Sequence, residues 1–124
     1  IFKKQGEGYF RQLETKILTK LPQKNIVACG GGLPIYNNNM DFIKKSGTSI
    51  YLKASRNELI MRMSKSPKNR PLIQHKSKKN LKKFIDSELI KRGEIYKIAD
   101  YTIDTSNLSE REVLQKINSL LLSI

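Results

Sequence analysis

Apolar positions Phe10, Leu13, Ile17 and Leu21 recur three and four apart, a spacing that predicts an amphipathic helix over Gly6–Lys20, ended by Pro22. The run "NIVAC", Asn25–Cys29, then meets three consecutive glycines and reads as a buried strand feeding a tight turn. "NNMDFIKKSG" has helical character up to Gly47, and "TSIYLKA" is β-branched and aromatic, so it reads as a second strand. Ser55 and Glu58 form a Ser-x-x-Glu capping box for a helix carrying Leu59, Ile60 and Met63, which "SKSPKNRP" breaks. A long helix with Leu81, Phe84, Ile85 and Leu89 at helical spacing follows, then a third strand in "DYTIDT". Ser109 and Glu112 cap a last helix, whose apolar stripe is Val113, Leu114, Ile117, Leu120 and Leu121.

Helices and strands in alternation favour a parallel sheet joined by right-handed crossovers. Three strands make a small sheet, below the usual ~4 to 6. The chain opens inside a helix, so one or two strands are expected to precede Ile1.

Composition adds limits. The 124 residues suffice for one domain with a modest core, 38% of them being hydrophobic. No apolar run approaches the ~20 residues that span a bilayer and no basic leader precedes one, so no membrane role and a cytoplasmic location are expected. The single cysteine, Cys29, has no internal disulfide partner, and its apolar setting predicts a small buried hydrophobe. Lys and Arg outnumber acids 24 to 11, net +13. That invites a nucleic-acid reading, but zinc spacing, an aromatic sheet motif and a helix-turn-helix are all lacking. Only His75–Lys83, "HKSKKNLKK", is dense enough to be a patch, and a solvated helix start explains it as well as anion attraction does. His75 reads as a plain polar residue, and no metal site is expected in this chain.

The chemistry rests on arginines and a glycine turn. Arg11 lies one residue off the first helix's stripe, Gly30–Gly32 follow the first strand, Arg70 precedes Pro71 in a basic loop, and Arg92 precedes Gly93 and Tyr96. Each alone has a bland reading as a solvated flank or plain turn. Together, three separated arginines and a glycine turn on an α/β sheet suit a small anionic ligand, because guanidinium forks bind carboxylate or phosphate bidentately. Glycines at a sheet's carboxyl end let a ligand reach backbone N–H groups.

The segments "GEGYFRQLE", "ACGGGLP", "IYLKA", "NRPLI", "RGEIY" and "IADYTIDT" come in an order and spacing that resemble the shikimate kinase family, across essentially the whole chain. The resemblance implies an α/β three-layer fold of the P-loop or nucleoside monophosphate kinase type, with family strands 3, 4 and 5 present and strands 1 and 2 missing. It implies one partial domain over 1–124 with a lid around 64–79, monomeric in the complete enzyme. It also implies transfer of the γ-phosphoryl group of ATP to the 3-hydroxyl of shikimate, with Mg2+, in aromatic amino-acid (chorismate) biosynthesis. Residue by residue, Arg11 and Arg92 match the arginines that bind the substrate carboxylate, Gly31 the backbone contact to the substrate ring, and Arg70 the catalytic lid arginine over the ATP phosphates. Arg62 matches an arginine that stacks on adenine, and Thr105–Ser109 should edge it. Lys65, Lys68, Lys76 and Lys78 would supply field around a polyanion.

The family's Gly-x-x-Gly-x-Gly-Lys-Ser/Thr loop is absent from these residues, and so is the acidic pair of its second strand. The 124 residues alone are therefore expected to be inactive. In the family's strand order, 2-3-1-4-5, the missing first strand separates "NIVAC" from "TSIYL". Its loss removes several kcal/mol of apolar burial at ~25 cal/mol per Å2, comparable to a small domain's stability, so a weakly folded fragment is expected. A related kinase acting on gluconate is the alternative substrate reading.

Overall fold

A computed structural model describes residues 2–22, 24–65 and 78–124, with the side chains of residues 2–5 and 78 left aside. The elements run α1 (Phe2–Thr19), α2 (Asn39–Ser46), β1 (Ile50–Lys53), α3 (Arg56–Lys65), α4 (Lys78–Tyr96), β2 (Tyr101–Asp104) and α5 (Glu110–Ser123). β1 and β2 pair in parallel, with Ile50 opposite Tyr101 and Lys53 opposite Asp104. The fold is thus α/β around a two-stranded parallel sheet. The expected lid around 64–79 falls largely outside the described residues, which stop at Lys65 and resume at Lys78.

The expected strand at Asn25–Cys29 does not form. Residues 25–30 carry no helix or strand, Ile26 is 94% exposed, and Cys29 is exposed rather than buried. A strand is completed by the ladder of a neighbour, and among the described residues β1 pairs only with β2. The apolar run therefore has the composition of a strand but no pairing partner among the described residues.

α1 is kinked at Gly6, whose φ of 84° and ψ of 169° only glycine adopts without strain, so the regular helix runs on from there. The predicted stripe is covered only in its first half: Phe10 and Leu13 are half-buried but Ile17 and Leu21 are exposed, whereas Leu18 is buried and Arg11, Glu14 and Thr15 are half-buried. α2 ends at Gly47, whose N–H reaches Ile43 O. At α3 the capping box is half made. Ser55 Oγ accepts from Glu58 N at 3.2 Å, but Ser55 N donates to Ser106 Oγ at 2.8 Å instead of to Glu58. At α5 both halves of the Ser109–Glu112 box are present.

The main core lies where α3 packs on α4: Ile60, Leu81 and Ile85 are buried, flanked by Leu59, Met63, Phe84 and Leu89. Arg56 and Asp86 tie the two helices together in a two-pronged ion pair, its Nη2–Oδ2 arm 3.1 Å long. α5 buries none of its residues, and Leu114 and Leu121 of its stripe are exposed. Among the described residues no helix is long and apolar enough to cross a membrane.

Candidate functional site

The glycine turn lies between two arginines from distant helices. Arg11 of α1 has its side chain only 11% exposed, which excludes a solvated flank. Its Nη1 donates to Glu14 Oε1 at 2.8 Å and its Nη2 to Glu7 Oε2 at 3.1 Å. The guanidinium stands over the Tyr36 ring at 4.6 Å and Phe10 at 5.2 Å. Tyr36 Oη in turn donates to Glu7 Oε2 at 3.3 Å. Burial works against the Arg11 charge, but the hydrogen bonds to Glu14 and Glu7 outweigh it and raise the pKa. Arg11 Nε is buried with no hydrogen-bond partner.

The tip of Arg11 occupies the space that a side chain at Gly32 would fill: a Cβ there would lie 2.5 Å from Cζ. One residue earlier, a Cβ on Gly31 would lie 3.0 Å from Tyr96 Oη and 3.3 Å from Arg92 Nη1. Arg92 sits on α4, its Nε held 2.7 Å from Glu88 Oε2 and its side chain 19% exposed. Tyr96, one turn on, donates its hydroxyl to Gly31 O, and its ring lies 5.1 Å from that of Tyr51 on β1. The structure thus brings Arg11, Gly31 and Arg92 around one turn.

A set of polar residues that the sequence did not single out holds this turn. Thr15 Oγ1 donates to Arg11 O at 3.1 Å and accepts from Asn37 Nδ2 and Asn39 Nδ2, at 2.9 and 3.0 Å. Buried Asn39 also donates to Leu33 O at 2.8 Å, so loop and α1 are pinned together. Asn37 and Asn38 take φ of 55° and 56°, the left-handed region that Asn tolerates. The sequence signal was the run "NNN".

Each guanidinium retains N–H groups beyond those spent on its carboxylates. Arg11 with Glu7 and Glu14 carries a local charge of about −1, so this side of the site orients an anion by geometry more than it attracts one. Long-range attraction falls to the net charge of +13 on the chain as a whole.

The nucleotide-side expectations stand apart. Arg70 lies outside the described residues, as do Lys68 and Lys76. Arg62 is on α3, 47% exposed and paired with Glu58 at 2.9 Å. The Thr105–Ser109 loop is tied to the end of β1, Thr105 Oγ1 donating to Lys53 O at 2.8 Å. Among the described residues no three His, Cys, Asp or Glu side chains cluster as a metal set would.

The family model described as shikimate kinase matches residues 1–122. A shikimate kinase of Clostridium botulinum (strain ATCC 19397 / Type A) is 43% identical over 113 residues, covering 89% of this chain and 64% of that protein. One from Parabacteroides distasonis is 32% identical over 126 residues, covering the whole of this chain and 73% of its own. Among solved structures, the shikimate kinase of Bacteroides thetaiotaomicron superposes with a TM-score of 0.85 at 27% identity, over 99% of this chain and 73% of its own. That of Aquifex aeolicus gives 0.72 at 27% identity, over 99% and 69%. The chain therefore spans about 64% of the length of the first of these curated relatives.

Proposed function

The chain belongs to the shikimate kinase family, and from that premise we propose that the full-length protein transfers the γ-phosphoryl group of ATP to the 3-hydroxyl of shikimate in aromatic amino-acid biosynthesis. One observation carries the substrate assignment: Arg11 and Arg92 approach the same turn, one against Gly32 and the other against Gly31. Two guanidiniums from separate helices suit a ring carboxylate, and the glycines between them let the ring approach the backbone.

In this reading Arg11 and Arg92 grip the carboxylate, while the Gly31 backbone meets the ring. Clamping one end fixes which hydroxyl faces the nucleotide, and such orientation supplies much of a phosphoryl transfer's acceleration. Glu14, Glu7 and Tyr36 restrain the Arg11 fork, and Glu88 restrains Arg92. Arg70 is proposed to bring charge to the phosphates and Arg62 to face the adenine. Mg2+ would neutralise the β- and γ-phosphates when bound, whereas the described residues of this chain bind and orient the acid. The domain 1–124, its lid around 64–79, a cytoplasmic location and a monomeric state belong to the same proposal.

Steady-state kinetics on the full-length protein test it. Phosphorylation of shikimate with the higher kcat/KM is expected, and preference for gluconate overturns the substrate. Arg92→Ala should raise the KM for shikimate and spare that for ATP, whereas Arg70→Ala should lower turnover more than acid affinity. An unchanged shikimate KM in Arg92→Ala removes the clamp.

A further inference from the structure

The site has a latch besides the two arginines. Tyr96 closes α4 and lies 65 residues from the glycine whose carbonyl it holds. Its ring packs tilted on Tyr51 at 41°, so β1 fixes where the phenol can be. Arg92 is one helical turn earlier on the same face, as the i, i+4 spacing requires. A single helix end therefore presents both the guanidinium and the phenol to Gly31.

From this we infer that Tyr96 is a positioning residue for the acid substrate: its hydroxyl sets the plane of the Gly31–Gly32 peptide and its distance from Arg92. The inference rests on the proposed shikimate site. In a trans peptide the carbonyl oxygen and the following N–H point in opposite directions. Holding Gly31 O toward Tyr96 thus turns the Gly32 N–H away from it. Without the phenol, the glycines are free to rotate that plane, since no Cβ restrains them. Substrate then meets an orientation that it must select at a cost in affinity. Burial pushes the Tyr96 phenol pKa up, so it stays a hydrogen-bond donor throughout the neutral range.

A purely structural role would show itself differently. Tyr96→Phe keeps the ring against Tyr51 and removes only the oxygen. In the full-length protein it should raise the KM for shikimate about 10-fold, a typical effect for one hydrogen bond, while the KM for ATP and kcat change less than about 2-fold. Thermal midpoint should stay within a few degrees. A shikimate KM unchanged in a folded Tyr96→Phe protein overturns the inference, and so do losses shared equally by both substrates. A second measurement separates this from the substrate reading. In ligand-free 15N-labelled protein, Tyr96→Phe should shift the Gly32 amide resonance well beyond those of α5, whatever acid the protein phosphorylates. Gly32 unmoved means that no latch exists; failure to phosphorylate shikimate with Gly32 shifted condemns the substrate alone.

Discussion

Gly32→Ala separates binding from folding at this site. A Cβ there would stand 2.5 Å from Arg11 Cζ, where ordinary contact needs about 3.5 Å, so the guanidinium must retreat by roughly 1 Å. That movement breaks at least one of its bonds to Glu14, 2.8 Å, and Glu7, 3.1 Å, since both already use the ordinary hydrogen-bond range. The fold has little at stake: Gly32 is outside the positive-φ region, where alanine is tolerated, and loss of a glycine from the unfolded chain favours folding by ~0.4–1 kcal/mol. Catalysis has more at stake, because a misplacement of ~1 Å costs about 100-fold, or ~2.7 kcal/mol. In the full-length protein we expect kcat/KM for shikimate to fall by about that factor, with the KM for ATP and the thermal midpoint nearly unchanged. Steady-state kinetics beside a melting curve would show it. Wild-type kcat/KM in a folded Gly32→Ala protein refutes the reasoning, since the arginine would then not be where the acid is gripped.

Two further outcomes concern stability. Ile85 is 2% exposed at the centre of the α3–α4 core, so Ile85→Ala should lower stability by ~2–5 kcal/mol in urea unfolding, whereas Leu114→Ala on exposed α5 should cost well under 1. Asp86 is held below its ordinary 3.8 by the hydrogen bond from Arg56, and Asp100 by those from Ser49 and Lys44. A carboxylate lowered in the folded state stabilises above its unfolded pKa and loses that contribution as pH falls through the folded one. Stability should thus decline below about pH 4, and less steeply in Asp86→Asn; identical acid profiles would contradict the pairing.

Local signals in this chain translated into local structure. The Ser109–Glu112 box, the stop at Gly47 and the strands at Ile50–Lys53 and Tyr101–Asp104 all follow from neighbouring residues, and all are present. What depended on a partner did not follow. "NIVAC" was strand-like in composition, but pairing is decided by another segment. In α1 the apolar stripe is half-buried at Phe10 and Leu13 but exposed at Ile17 and Leu21, while Arg11, Glu14 and Thr15 are half-buried too, because the helix turns these polar residues to the glycine turn and Asn39. Arg11, Gly31 and Arg92 were legible as residues through the family resemblance. Their supports come from two places: Glu88 and Tyr96 flank Arg92 one turn either way on α4, a spacing legible once that helix is assigned, whereas Tyr36 in the loop after the glycines and Asn39 at the start of α2 have no local pattern that ties them to α1.

The edge of β1 that is unpaired among the described residues also has a colloidal meaning. A short strand with one described partner, and an apolar run elsewhere in which Ile26 is 94% exposed, offer backbone and apolar surface to another copy of the chain. At +13 the copies repel one another. That repulsion reaches about 30 Å at 0.01 M salt and only about 8 Å at 0.15 M, so the chain's excess lysines also act as its dispersant, and salt switches them off.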